Sequence, residues 1–78
     1  MERHVAEALE AYKEKKQLKQ NLEAERDALG KLILKERNSN STERYIELCH
    51  LIEVQEREIN YWARRVAERT IEYIEDNQ

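Results

Sequence analysis

Apolar residues recur at helical spacing on both sides of a single polar interruption, Asn38-Ser39-Asn40-Ser41-Thr42. Turn-forming residues gather there, and the flanking stretches are compatible with helix throughout. The pattern predicts helices over residues 2–37 and 41–76 around a turn at 38–41. Each would be about 54 Å long at ~1.5 Å per residue. Asn38 suits a left-handed C-terminal cap, and Asn40 or Ser41 can cap the second helix, with Glu43 in capping-box position after Asn40. Glu72, Glu75 and Asp76 oppose the dipole of the second helix, so its last turn is expected to fray.

A turn this short sets the helices antiparallel. Centred near Ser39 and Asn40, it puts residue i opposite residue 79−i. Val5 then meets Ile74, Ala8 meets Ile71, Tyr12 meets Ala67, Leu18 approaches Tyr61 and Trp62, and Ile33 meets Ile46. Apolar faces apolar at nearly every level.

The apolar face is wide for two helices. In the second helix Tyr45, Leu48, Cys49, Ile52, Ile59, Trp62, Ala63, Val66, Ala67, Tyr73 and Ile74 fall within an arc on the order of 140°. Leu51, Val54 and Tyr61 add apolar area on a flank. In the first helix Val5, Ala8, Leu9 and Tyr12 point one way, and Leu18, Leu22, Leu29 and Ile33 point roughly 100° further round. Supercoil drift of ~20° per heptad accounts for about half of that rotation. One intramolecular seam is therefore not expected to bury both halves. The fold class is all-α, an antiparallel two-helix hairpin of coiled-coil type, completed to a four-helix bundle by dimerisation or by a partner. The expected docking residues are Leu48, Ile52, Ile59, Tyr61, Trp62, Val66 and Tyr73, anchored by Trp62 with Tyr61. Trp62 has a second possible role, filling the intramolecular core.

Composition strengthens this reading. The 78 residues hold no Pro, one Gly, and 40% charged side chains, with a net charge of −3. A chain this short has difficulty burying enough apolar surface alone, and a single cysteine cannot cross-link it internally. Gly30 falls within the first helical pattern, either as a tolerated glycine costing about 1 kcal/mol relative to Ala or as a kink or close helix contact. No apolar run approaches the roughly 20 residues that span a bilayer. The N-terminus lacks the apolar stretch of a signal peptide, so the cytoplasm is the expected compartment.

Candidate chemistry is sparse. Cys49 and His50 are neighbours on a helix, about 100° apart, and cannot easily share a metal or form a nucleophile–base pair. His4 belongs to the opposite end of the hairpin from the turn. No catalytic residue, metal site or cofactor is expected, and the chain is not expected to be an enzyme. Lys13, Lys15, Lys16 and Lys19 fall level with Arg57, Arg64, Arg65 and Arg69, forming a possible polyanion-binding band. Glu14, Glu56, Glu58 and Glu68 are interleaved and reduce its field, so nucleic acid is the lesser partner expectation. Membrane-surface binding is disfavoured by the acid-rich polar face of the second helix.

Residues Thr42 to Arg65 carry a family resemblance. A polar turn followed by Glu43-Arg44-Tyr45, then Leu48, Leu51-Ile52-Glu53, Glu56, Ile59 and Tyr61-Trp62, resembles the E-type co-chaperones of type III secretion needle subunits. The resemblance covers about a third of the chain. It implies a helical hairpin that binds a second chaperone and keeps an aggregation-prone needle subunit soluble in the cytoplasm. The segment past Val66 departs from that pattern. Small phage or plasmid accessory proteins that inhibit host enzymes share the same general profile. The functional expectation is a non-enzymatic interaction module whose partner is another protein or a second copy of itself.

Overall fold

The computed structural model describes residues 2–36 and 39–78. They form two helices, α1 (Arg3–Glu36) and α2 (Ser39–Asp76), paired side by side as an antiparallel hairpin whose backbone spans 62 × 16 × 12 Å. The all-α hairpin is as the spacing predicts. No helix among the described residues is long and apolar enough to cross a membrane.

The ends of the helices differ in detail from expectation. Glu2 is the cap of α1: its carboxylate accepts the backbone N–H groups of His4 at 2.9 Å and Val5 at 3.1 Å. These are donors that the first helical turn leaves free. The His4 bond is the main reason the Glu2 carboxyl is held below its ordinary range. α2 begins at Ser39, so residues 39–41, expected in the turn and as the cap, are already helical. Ser and Asn are well suited to a first turn as well as to a cap. The expected Asn38 cap lies outside the described residues. At the far end α2 reaches Asp76, as expected, and the Asn77 side-chain amide donates to the Tyr73 carbonyl at 2.7 Å.

A regular 3–4 spacing runs through both helices. In α1 it selects Val5, Ala8, Tyr12, Lys15, Lys19, Leu22, Arg26, Leu29 and Ile33, each at least half-buried. In α2 it selects Tyr45, Leu48, Ile52, Gln55, Ile59, Trp62, Val66 and Arg69, again all at least half-buried. These two series are the facing stripes of a coiled-coil seam. The seam draws on both halves of α1, but its buried side chains, Val5 and Ala8, both belong to the first half, while Leu22, Leu29 and Ile33 in the second are half-buried. The apparent change of direction came from its mid-section, where the seam positions are Lys15 and Lys19, and from Leu18, which lies outside the seam.

The register also differs. Lys15 Nζ pairs with Glu58 at 2.7 Å, Lys19 with Glu56 at 3.4 Å, and Arg69 donates to the His4 carbonyl at 3.0 Å. Residue i therefore lies level with about residue 74−i, not 79−i. The physical reason is the early start of α2 at Ser39, which brings its first residues level with an earlier part of α1 than a start at residue 41 would. Ile46, Ile71 and Ile74, assigned as partners of Ile33, Ala8 and Val5 in the other register, are all exposed.

The resulting core is thin. Among the described residues, Val5 and Ala8 near the open end and Leu48 and Ile52 near the turn are the buried apolar side chains, and between them lies a buried Gln55. The Gln55 Oε1 has no hydrogen-bond partner among the described residues.

Candidate protein-docking face

Leu48 is fully buried and Ile52 is 4% exposed, so these two of the expected docking residues are committed to α1. Ile59, Trp62 and Val66 are half-buried along the same seam. The Trp62 indole is gripped from two directions. Tyr61 meets it edge-on with ring centroids 5.1 Å apart, and the Arg69 guanidinium stands 6.0 Å from its centre. Because Arg69 also donates to His4, Trp62 belongs to the closure of the open end, and Tyr61 is the outward half of the pair. Tyr73 lies past the last closed layer, exposed beside Glu2, His4 and Arg69 around a shallow recess of 390 Å³.

Beyond Leu34, Ile46, Ile71, Tyr73 and Ile74 toward the ends, the middle of the hairpin leaves apolar surface uncovered next to the seam. Leu18 is 40% exposed, Val54 42% and Tyr61 55%, with Leu51 half-buried among them. Helical spacing and one ion pair place these four on the same side of the hairpin. Leu18 is seven residues before Glu25, and Leu51 is seven after Arg44, so each pair shares one side of its helix. Arg44 Nη2 reaches Glu25 at 3.0 Å, which makes those two sides adjacent. Val54 and Tyr61 follow Leu51 and Glu58 by three residues and extend the stripe outward along α2. This second stripe is the flank that the spacing of Leu51, Val54 and Tyr61 marks in the sequence.

The opposite side of the hairpin is apolar only toward its ends. Leu9, Tyr12, Ala63 and Val66 line one shallow recess near the open end. Gly30, Ile33, Leu34, Thr42 and Tyr45 line another, of 270 Å³, near the turn. Gly30 resolves here as a close approach: an ideal Cβ at that position would stand 3.2 Å from Cε2 of Tyr45.

The basic band does not assemble as a continuous cationic surface. Lys15 and Lys19 are drawn to Glu58 and Glu56, Arg65 bonds Glu68 at 3.1 Å, and Lys16 lies 5.3 Å from the centre of the Tyr12 ring. Lys13, Arg57 and Arg64 are exposed, with Arg57 and Arg64 one heptad apart on the outer surface of α2. Cys49 is half-buried, and no group of three His, Cys, Asp or Glu side chains able to hold a metal comes together among the described residues. No protein-family model matches the chain, and no curated protein or solved structure matches it.

Proposed function

We propose that the chain is a non-enzymatic interaction module that docks on partner helices through the stripe formed by Leu18, Leu51, Val54 and Tyr61. The observation that supports this is the coexistence of a thin core with Leu18, Val54 and Tyr61, large apolar side chains exposed on one side of the middle of the hairpin. Covering that stripe would add apolar burial at about 25 cal/mol per Å², which a hairpin with so few buried side chains otherwise lacks. Tyr61 is the anchor of this face, backed by Trp62. Such a module fits the work of an adaptor, of a co-chaperone as the Thr42–Arg65 resemblance implies, or of an inhibitor that caps another protein's helix.

Thermal unfolding of the full chain by circular dichroism, repeated across concentrations and with sedimentation at each, tests the proposal. The expected result is a low, broad transition in the isolated hairpin that rises once the stripe is covered. A sharp transition with a high midpoint, independent of concentration, from a chain that sediments as a monomer would refute it.

A further inference from the structure

We infer that the occupant of this stripe is a second copy of the same chain, docked antiparallel so that α2 packs on α2 and α1 on α1. This rests on the docking reading above and adds to it the identity and direction of the partner.

The first support is position. Taking each α2 residue at the level of its α1 counterpart, Tyr61 stands level with about residue 13, Val54 with 20 and Leu51 with 23, with Leu18 between them. The stripe is thus centred close to the midpoint of α1 (Arg3–Glu36). A two-fold axis across that midpoint lays the stripe on itself, bringing Tyr61 against Leu51 of the second copy and Leu18 against Leu18. A stripe near one end could not do this without leaving half of each hairpin unpaired.

The second support is charge. Beyond the apolar stretch, the same side of α2 carries Arg65 and Glu68 toward the open end and Glu47 and Arg44 toward the turn. The two-fold arrangement sets Arg65 level with Glu47 of the second copy, and Glu68 level with its Arg44. Both pairs are of opposite sign and occur twice. These four side chains keep between a third and two thirds of their surface exposed, so they remain reachable despite their bonds within the hairpin. The unfavourable places are Glu14, which falls between Asn21 and Glu25 of the other copy, and Glu58, which falls level with its Val54 and keeps Lys15 as its counter-charge. A parallel face-to-face pair is worse: it sets Glu7 against Glu68, Glu14 against Glu58 and Glu25 against Glu47. Electrostatic complementarity of this kind selects partner and orientation, and the product is a four-helix bundle with antiparallel neighbours.

Light scattering coupled to size exclusion, and sedimentation of the full chain from 1 to about 100 µM, provide the test, with dimer concentrations converted to affinities. The expected result is a dimer. Arg44→Glu or Glu68→Arg alone should weaken it about tenfold or more, since each replaces two attractive pairs with two repulsive ones. An equimolar mixture of the two variants should recover the affinity, because every facing pair is then again of opposite sign. Val54→Glu should give a monomer whose helicity at high concentration is retained, which separates loss of docking from loss of folding. A dimer indifferent to Val54→Glu and to both charge reversals overturns this inference but leaves docking through another face. A monomer at all concentrations also overturns it. If that monomer melts low and broadly, the docking function stands with a foreign helix as its partner; if it melts high and sharply, the docking function fails too.

Discussion

Two stripes run side by side along α2 with the same 3–4 spacing and meet opposite fates. Leu48, Ile52, Ile59, Trp62 and Val66 are covered by α1, whereas Val54 and Tyr61, a few residues away, are exposed and Leu51 beside them is only half-buried. Chemically the stripes are similar. What separates them is which one the connection aims at the sister helix. The difference teaches that apolar periodicity states a need for burial without naming the surface that meets it.

Equal truncations on the two stripes should give unequal losses. Leu48→Ala removes a fully buried side chain and should cost about 2–5 kcal/mol, enough to unfold most of an isolated hairpin. Val54→Ala should cost less than about 0.5 kcal/mol in the monomer, as exposed positions usually do. Chemical denaturation of both variants at low concentration checks the pair. Equal losses would mean that the stripes are not distinguished as described.

The polar gap in the seam offers the opposite sign. Gln55 is buried with an unsatisfied Oε1 at a position that apolar residues otherwise hold. Gln55→Leu should raise stability by about 1–2 kcal/mol. It should also loosen the register, because a buried polar layer disfavours slid pairings. Denaturation midpoints read the first effect, and cysteine cross-linking of engineered pairs across the seam reads the second.

A smaller gain is expected at Gly30→Ala. Helix propensity favours Ala by about 1 kcal/mol, and the obstacle is a Tyr45 ring atom on a half-buried side chain that can move by a few tenths of an ångström. The net effect should be stabilising by somewhat less than the propensity alone. A loss would show that the Gly30–Tyr45 approach is rigid.

The smallest effect concerns the start of α1. The Glu2 carboxyl is held below its ordinary range by the N–H groups it caps, so its ionised form is favoured by folding. The helical end it supports should be intact above the usual carboxylate range and should loosen as pH falls through the lowered folded value. Glu2→Gln should remove that pH dependence. Amide exchange at His4 and Val5 between pH 5 and pH 2 reports it directly.

Much of the fold was legible in the residues. The polar cluster from Asn38 to Thr42 marked the break, and the absence of Pro left helix as the only consistent local state. The register was not legible. Ala67, Ile71 and Ile74 are apolar residues off the seam, Ile71 on the outer surface with Arg57 and Arg64, so sliding one helix by about a turn still matches apolar with apolar level by level. The docking face was legible only in part. The spacing marks Leu51, Val54 and Tyr61 as a flank, but it also gives Leu48 and Ile52 to the partner, because the apolar arc cannot be divided without its neighbour.

By itself, then, the sequence determined two long helices, one break, an antiparallel return and more apolar surface than two helices cover. These follow from local preference and periodicity, which each segment carries alone. Only the tertiary structure decided that residue i faces about 74−i, that Gln55 is enclosed, that Gly30 makes room for Tyr45, and that Val54 and Tyr61 stay outside. Those outcomes are sums over pairs from different helices, and nearly equivalent pairings recur every turn. The two or so residues at which α2 starts early were enough to choose among them.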